Sequence, residues 1–108
     1  MPLYHAPTAD FQFLLKDWLG LDAHYQKLGI GDFDSELASE IIAQGAKFAL
    51  DVVAPLNREG DEEGCHLENG SVTTPKGFAD AYQEYVANGW NAMLGSADYD
   101  GVGEVLAI

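Results

Sequence analysis

Positive charge is what this chain has least of. Five Lys and Arg stand against 18 Asp and Glu in 108 residues, a formal net charge of -13. A surface of that sign repels phosphate, which argues against DNA, RNA and anionic membranes as partners. It also offers little grip for the phosphates of a small ligand, so such a grip must come from elsewhere. Cysteine is nearly absent: Cys65 stands alone, and one thiol closes no internal disulfide. No stretch approaches the roughly 20 apolar residues that span a bilayer. Residues 1–10 lack the basic run and apolar core of a secretory signal. The expectation is a soluble, cytoplasmic protein.

What is present suits one domain, since 108 residues with a 47% hydrophobic share can bury one core. No internal repeat or low-complexity tract appears. Residues 10–19 read as a helix, with Asp10 as N-cap, Gly20 as the left-handed stop, and Phe11, Leu14, Leu15, Trp18 and Leu19 on one face. Phe13 falls on the other side and suggests a second contact surface. Residues 21–33, with Gly29 and Gly31, show no sustained period and are read as loop. Asp34 then caps the longest helix, residues 35–53. Leu37, Ile41, Phe48, Val52 and Leu56 form its stripe, widened by Ile42 and Val53, with Glu40, Gln44, Lys47 and Asp51 opposite. A stripe that wide packs against more than one neighbour. Gly45 within it permits close helix approach, and Pro55 should kink or end the helix near Ala54.

Residues 57–64 read as a charged turn. Asn69-Gly70 between Cys65-His66-Leu67-Glu68 and Ser71-Val72-Thr73-Thr74 predicts a type I′ hairpin. Thr74 is the expected cap of a last helix opening at Pro75, with Phe78, Ala81, Tyr82, Tyr85 and Val86 on its apolar face and Asn88-Gly89 as its stop. The end, Val105-Leu106-Ala107-Ile108, reads like an element cut short. The fold class expected is all-α, a small bundle of three to four helices with one short β-hairpin.

No residue grouping makes an active site. His5, His24 and His66 lie in separate segments without the i, i+3 or i, i+4 spacing of helical metal ligands. Cys65 and His66 are strand neighbours whose side chains point to opposite faces. A calcium loop starting at Asp32 would need glycine and an acid where Leu37 and Ala43 stand. Helix capping explains those acids better. Asp98-Tyr99-Asp100-Gly101 offers no further acid spacing for a cation. Asp61-Glu62-Glu63 is read as a solvated run with ordinary pKa values, and Gly101-Val102-Gly103 lacks the strand, helix and third glycine of a nucleotide loop.

The pattern as a whole resembles a family. Tyr4-x-Ala6-Pro7-x-x-Asp10-x-x-Phe13-Leu14-Leu15 looks like the opening of a subgroup of acyl-CoA dehydrogenases that includes enzymes acting on 3-methylmercaptopropionyl-CoA. Ala46-Lys47-Phe48-Ala49, Ala54-Pro55-Leu56-Asn57-Arg58-x-Gly60-Asp61-x-x-Gly64-Cys65 and Val72-Thr73-Thr74-Pro75-x-Gly77-Phe78-x-x-Ala81-Tyr82, leading to Gly89-Trp90, follow in the family's order. The chain departs at Tyr99-Asp100-Gly101-Val102-Gly103, where the family has glycine at the position of Asp100. The resemblance implies an N-terminal helical domain that helps wall an acyl pocket. It implies FAD and a glutamate base held by middle and C-terminal domains that this chain lacks. No catalytic, cofactor-binding or metal residue carries over; Tyr99 and Gly101 match the loop near the acyl pocket. The implied partner is the remainder of such an enzyme, this chain alone being inactive, a fragment or a truncated product. The alternative is a stand-alone interaction module that pairs with itself as a homodimer.

Overall fold

Helical periodicity dominates the chain, and a computed structural model describes residues 3–101 accordingly. α1 (Thr8–Gln12) runs into a π-helical segment (Phe13–Trp18). α2 (Leu21–Lys27) follows. Then α3 (Ser35–Phe48), a second π segment (Ala49–Val53) and α4 (Ala54–Glu63) form one unbroken rod. A hairpin of β1 (His66–Glu68) and β2 (Ser71–Thr73) leads to α5 (Phe78–Ala87), and 3₁₀ turns close the described part at Trp90–Ala92 and Ala97–Tyr99. Among the described residues this is four helical rods and one hairpin, the expected class. The apolar end from Val105 to Ile108 lies outside the described residues.

Three stops and starts fall where the residues indicate. Gly20 takes φ 60° after the first rod. Asp34 Oδ1 accepts the Leu37 N–H at 2.8 Å, capping α3. Asn69 at φ 49° and Gly70 at φ 77° supply the two positive-φ positions that pair Leu67 with Val72 across the hairpin.

Five expectations are corrected. The first helix starts at Thr8, so Asp10 lies inside its first turn, where a carboxylate faces free N–H groups without capping them. Residues 21–27 are helix, not loop: Leu21 and Tyr25 are buried four positions apart. Gly29, at φ 73°, ends that helix, its N–H donating to Gln26 and the Ile30 N–H to Tyr25, the paired bonds of a Schellman stop. Of the two outcomes expected at Pro55, a kink or an end, the end does not occur, since helix continues to Glu63. In the π segment the Ala54 N–H already reaches back to the Ala49 carbonyl, so the bond ladder has shifted by one where proline brings no donor. Residues 57–63 are helical too, with Arg58 and Glu62 paired at 2.8 Å one turn apart. Finally, α5 begins after Gly77, not at Thr74-Pro75. The Lys76 N–H donates to Glu63 Oε2 at 2.6 Å, which holds that turn outside the helix.

α5 lies along the long rod. The Phe78 ring covers the buried Gly60, whose Cβ position would lie 2.7 Å from Phe78 Cε1. Tyr85 approaches Phe48 with ring centroids 6.1 Å apart, and the Trp90 ring rests on Gly45. Gly45 thus meets an indole, in ordinary contact at 3.6 Å, and not another helix.

The buried core is small and sits at one end. Leu15, Leu21, Tyr25, Phe33 and Ala38 form it, with Ile30, Ile41 and Ile42 packed against it. Tyr25 and Phe33 meet edge-to-face at 5.2 Å. The described part is a slab of 55 × 37 × 17 Å with a radius of gyration of 17.6 Å, where a compact chain of about this length has about 13 Å. Large apolar side chains therefore stay uncovered, Trp18 at 70% and Leu67 at 72% among them.

Candidate functional site

The loop over residues 95–101 carries the two residues singled out from sequence. Ser96 organises it: its hydroxyl accepts the Asp98 N–H, and its carbonyl accepts the N–H groups of Tyr99 and Gly101 at 3.0 and 2.9 Å. Asp100 sits at φ 62°, a left-handed position that glycine favours and aspartate tolerates. That is the position at which the family pattern carries glycine. Gly101 lies hard against the Gly95 backbone, where no side chain fits. Tyr99 projects outward, 87% exposed, and lines none of the grooves described below. The fold brings Gly101 to Gly95 and sets Tyr99 on the rim of that loop.

A groove of about 590 Å³ lies between α3 and the far end of α5. Leu37, Ile41, Phe48, Val52, Trp90 and Met93 line it. Glu40, Gln44, Lys47 and Asp51, read from sequence as the opposite face, edge the same groove, joined by Glu84. A second groove of about 840 Å³ runs between the extended start (Leu3, Tyr4, His5) and Leu50, Val53, Pro55 and Arg58. Val53 faces it, while Ile42 packs on the core, so the wide stripe does serve two neighbours.

Two carboxylates have structural work that sequence spacing did not reveal. Asp22, on α2, receives the Ser35 N–H on Oδ1 at 2.6 Å and the Ser35 hydroxyl on Oδ2 at 2.7 Å. These bonds, the hydroxyl's first, hold its pKa below the ordinary 3.8. Glu63 is likewise held below its ordinary 4.5, chiefly by the Lys76 N–H, so its pKa is not ordinary as the solvated reading had it. A lowered value is the reverse of what a general acid at neutral pH needs. His66 Nε2 stands 3.5 Å from Glu63 Oε1. Among the described residues no group of three or more His, Cys, Asp or Glu is placed to hold a metal, and no helix is long and apolar enough to cross a membrane.

The Asp22 geometry has a pH consequence. A carboxylate depressed in the fold contributes stability above its unfolded value near 3.8, and loses it as pH falls toward the lower folded value. Asp22→Asn should therefore lower the melting temperature at pH 7 and narrow its gap to the parent as pH drops below about 3.8. Melting curves from pH 7 to pH 2.5 check this; a constant gap would mean the bonds to Ser35 do not depend on the ionised form.

No protein-family model matches the chain. Over 105 residues it is 32% identical to the 3-methylmercaptopropionyl-CoA dehydrogenase of Ruegeria pomeroyi, a match covering 93% of this chain and 17% of that protein. Two butyryl-CoA dehydrogenases of Syntrophomonas wolfei are each 30% identical, over 107 and 101 residues. Those matches cover 91% and 85% of this chain and 17% and 16% of theirs. The chain is an acyl-CoA dehydrogenase homologue. It spans about 17% of the length of the curated relatives, which fits an N-terminal domain of that family. Within this acyl-CoA dehydrogenase homologue, the small core and the open slab are the features that bear on its role.

Proposed function

We propose that this chain serves as the N-terminal helical domain of an acyl-CoA dehydrogenase-like flavoenzyme, and that it is inactive alone. The uncovered apolar surface carries the reading. A fold whose buried core, among the described residues, is five side chains at one end of a slab 17 Å thick is built to be covered by something larger. In this reading the rest of the enzyme covers it, and Tyr99 and Gly101 contribute to the wall of the acyl pocket. FAD-dependent α,β-dehydrogenation of an acyl-CoA thioester belongs to the whole assembly. The groove between α3 and α5 does not suit a flavin nucleotide: among the described residues that line it, Glu40, Asp51 and Glu84 outnumber Lys47, and a diphosphate would be repelled there.

The purified chain mixed with FAD, a short-chain acyl-CoA and an electron acceptor should give no turnover above buffer. Acceptor reduction that scales with chain concentration would overturn the proposal. Phe13, 57% exposed, and Val53, 49% exposed, favour one rival, in which copies of the chain cover each other as a two-fold dimer. Sedimentation at micromolar concentration separates the two: a stable dimer supports the rival, a monomer the docked domain.

A further inference from the structure

The groove between α3 and α5 has a shape and a charge pattern that together specify an occupant. Its floor is half-buried and apolar: Ile41, Phe48, Val52, Trp90 and Met93. Among the described residues its edges carry three exposed carboxylates, Glu40, Asp51 and Glu84, against the one ammonium of Lys47. It is a trough without the converging buried polar groups that orient a small molecule. Both walls are helical: α3 on one side, the end of α5 and the turn at Trp90 on the other.

A strand laid in such a trough would leave its backbone N–H and C=O groups unpaired, because neither wall offers a free backbone edge. A helix brings its own bonds satisfied and seats a ridge of side chains between two others. We propose that this groove receives an apolar helix flanked by Lys or Arg, supplied by the body of the enzyme. The proposal rests on the reading of the chain as a docked domain, and it adds which groove is used and what chemistry meets it. The apolar ridge provides affinity. The basic flanks meet Glu40, Asp51 and Glu84 and steer the approach, which selects against acidic helices that a purely apolar groove would accept.

The test uses the full chain carrying Trp18→Phe, so that emission reports Trp90, and two synthetic helical peptides with the same leucine seam. One has lysine flanks and the other glutamate flanks. The lysine peptide should shift Trp90 emission on binding, at least tenfold more tightly than the glutamate peptide, and weaken as salt rises. Neutralising the rim (Glu40→Gln, Asp51→Asn and Glu84→Gln together) should weaken the lysine peptide about tenfold, taking exposed pairs at their usual strength. Neutralising Glu59, Asp61 and Glu68, which do not line the groove, should change it less than threefold. Equal binding of the two peptides would overturn the proposal, as would equal losses from the two sets of neutralisations or no binding at all. Any of these leaves the domain assignment standing, whereas turnover by the isolated chain would sink that assignment and not this result.

Discussion

Replacing Tyr25 with alanine is expected to leave the chain largely without fixed tertiary structure. Truncating a large buried aromatic costs about 3–5 kcal/mol, and native domains of ordinary stability have only about 5–15 kcal/mol to lose. A buried core of five side chains among the described residues argues for the weak end of that range. Tyr25 is the largest fully buried side chain among the described residues, and the cluster around it is Leu15, Leu21, Phe33 and Ala38. Removing its ring deprives Phe33 of an edge-to-face neighbour and separates α2 from the start of α3. Urea titration followed by near-ultraviolet circular dichroism should show the midpoint falling by more than half. A midpoint within experimental error of the parent would mean that the slab is held together elsewhere.

Gly101→Ala should open the loop over residues 95–101 and leave the core intact. The added methyl would lie 2.6 Å from the Gly95 Cα, and backbone cannot rotate away as a side chain can. Overpacking of this kind costs about 1–3 kcal/mol. Relieving it breaks the bond from the Gly101 N–H to the Ser96 carbonyl. Amide hydrogen exchange at Tyr99 and position 101 should accelerate roughly tenfold or more, a factor of ten corresponding to about 1.4 kcal/mol. Exchange at Tyr25 should hold its parent rate. Unchanged protection at Tyr99 would show that the Gly95–Gly101 contact is not what closes the loop. In the flavoenzyme reading, the same substitution displaces the proposed pocket-wall residue Tyr99.

Much of this architecture is legible in the residues because the signals are local. Asp34 caps because it precedes a long apolar period, and Asn69-Gly70 turns because both positions tolerate positive φ. The short helix at Leu21–Lys27 is harder to read: its seven residues give a single i, i+4 apolar pair, too little for a period to stand out. The charge of residues 57–63 reads as a turn, whereas the fold keeps them helical, with Arg58 paired to Glu62 and the Phe78 ring on Gly60. The roles of Asp22 and Glu63 were illegible for another reason. Each reaches a partner 13 positions away, and no spacing rule predicts a bond that the fold itself creates. The groove shows the same limit: its acids were visible on one side of a helical wheel, but only α5 and Trp90 make that side a rim. The resemblance in motif order supplied what these rules could not, the likeness to acyl-CoA dehydrogenases.

The π segment before Pro55 also sets the phase of the whole rod. Phe48 and Gly60 both meet rings of α5, yet they stand 12 positions apart, about 120° out of step on a helix of 3.6 residues per turn. The wide turn absorbs roughly one extra residue, about 100° of that rotation, and so returns Gly60 to the azimuth of Phe48. A relative with one residue fewer between positions 49 and 53 would keep this alignment on a regular α-helix, so chain length in this short window and the regularity of the rod should vary together.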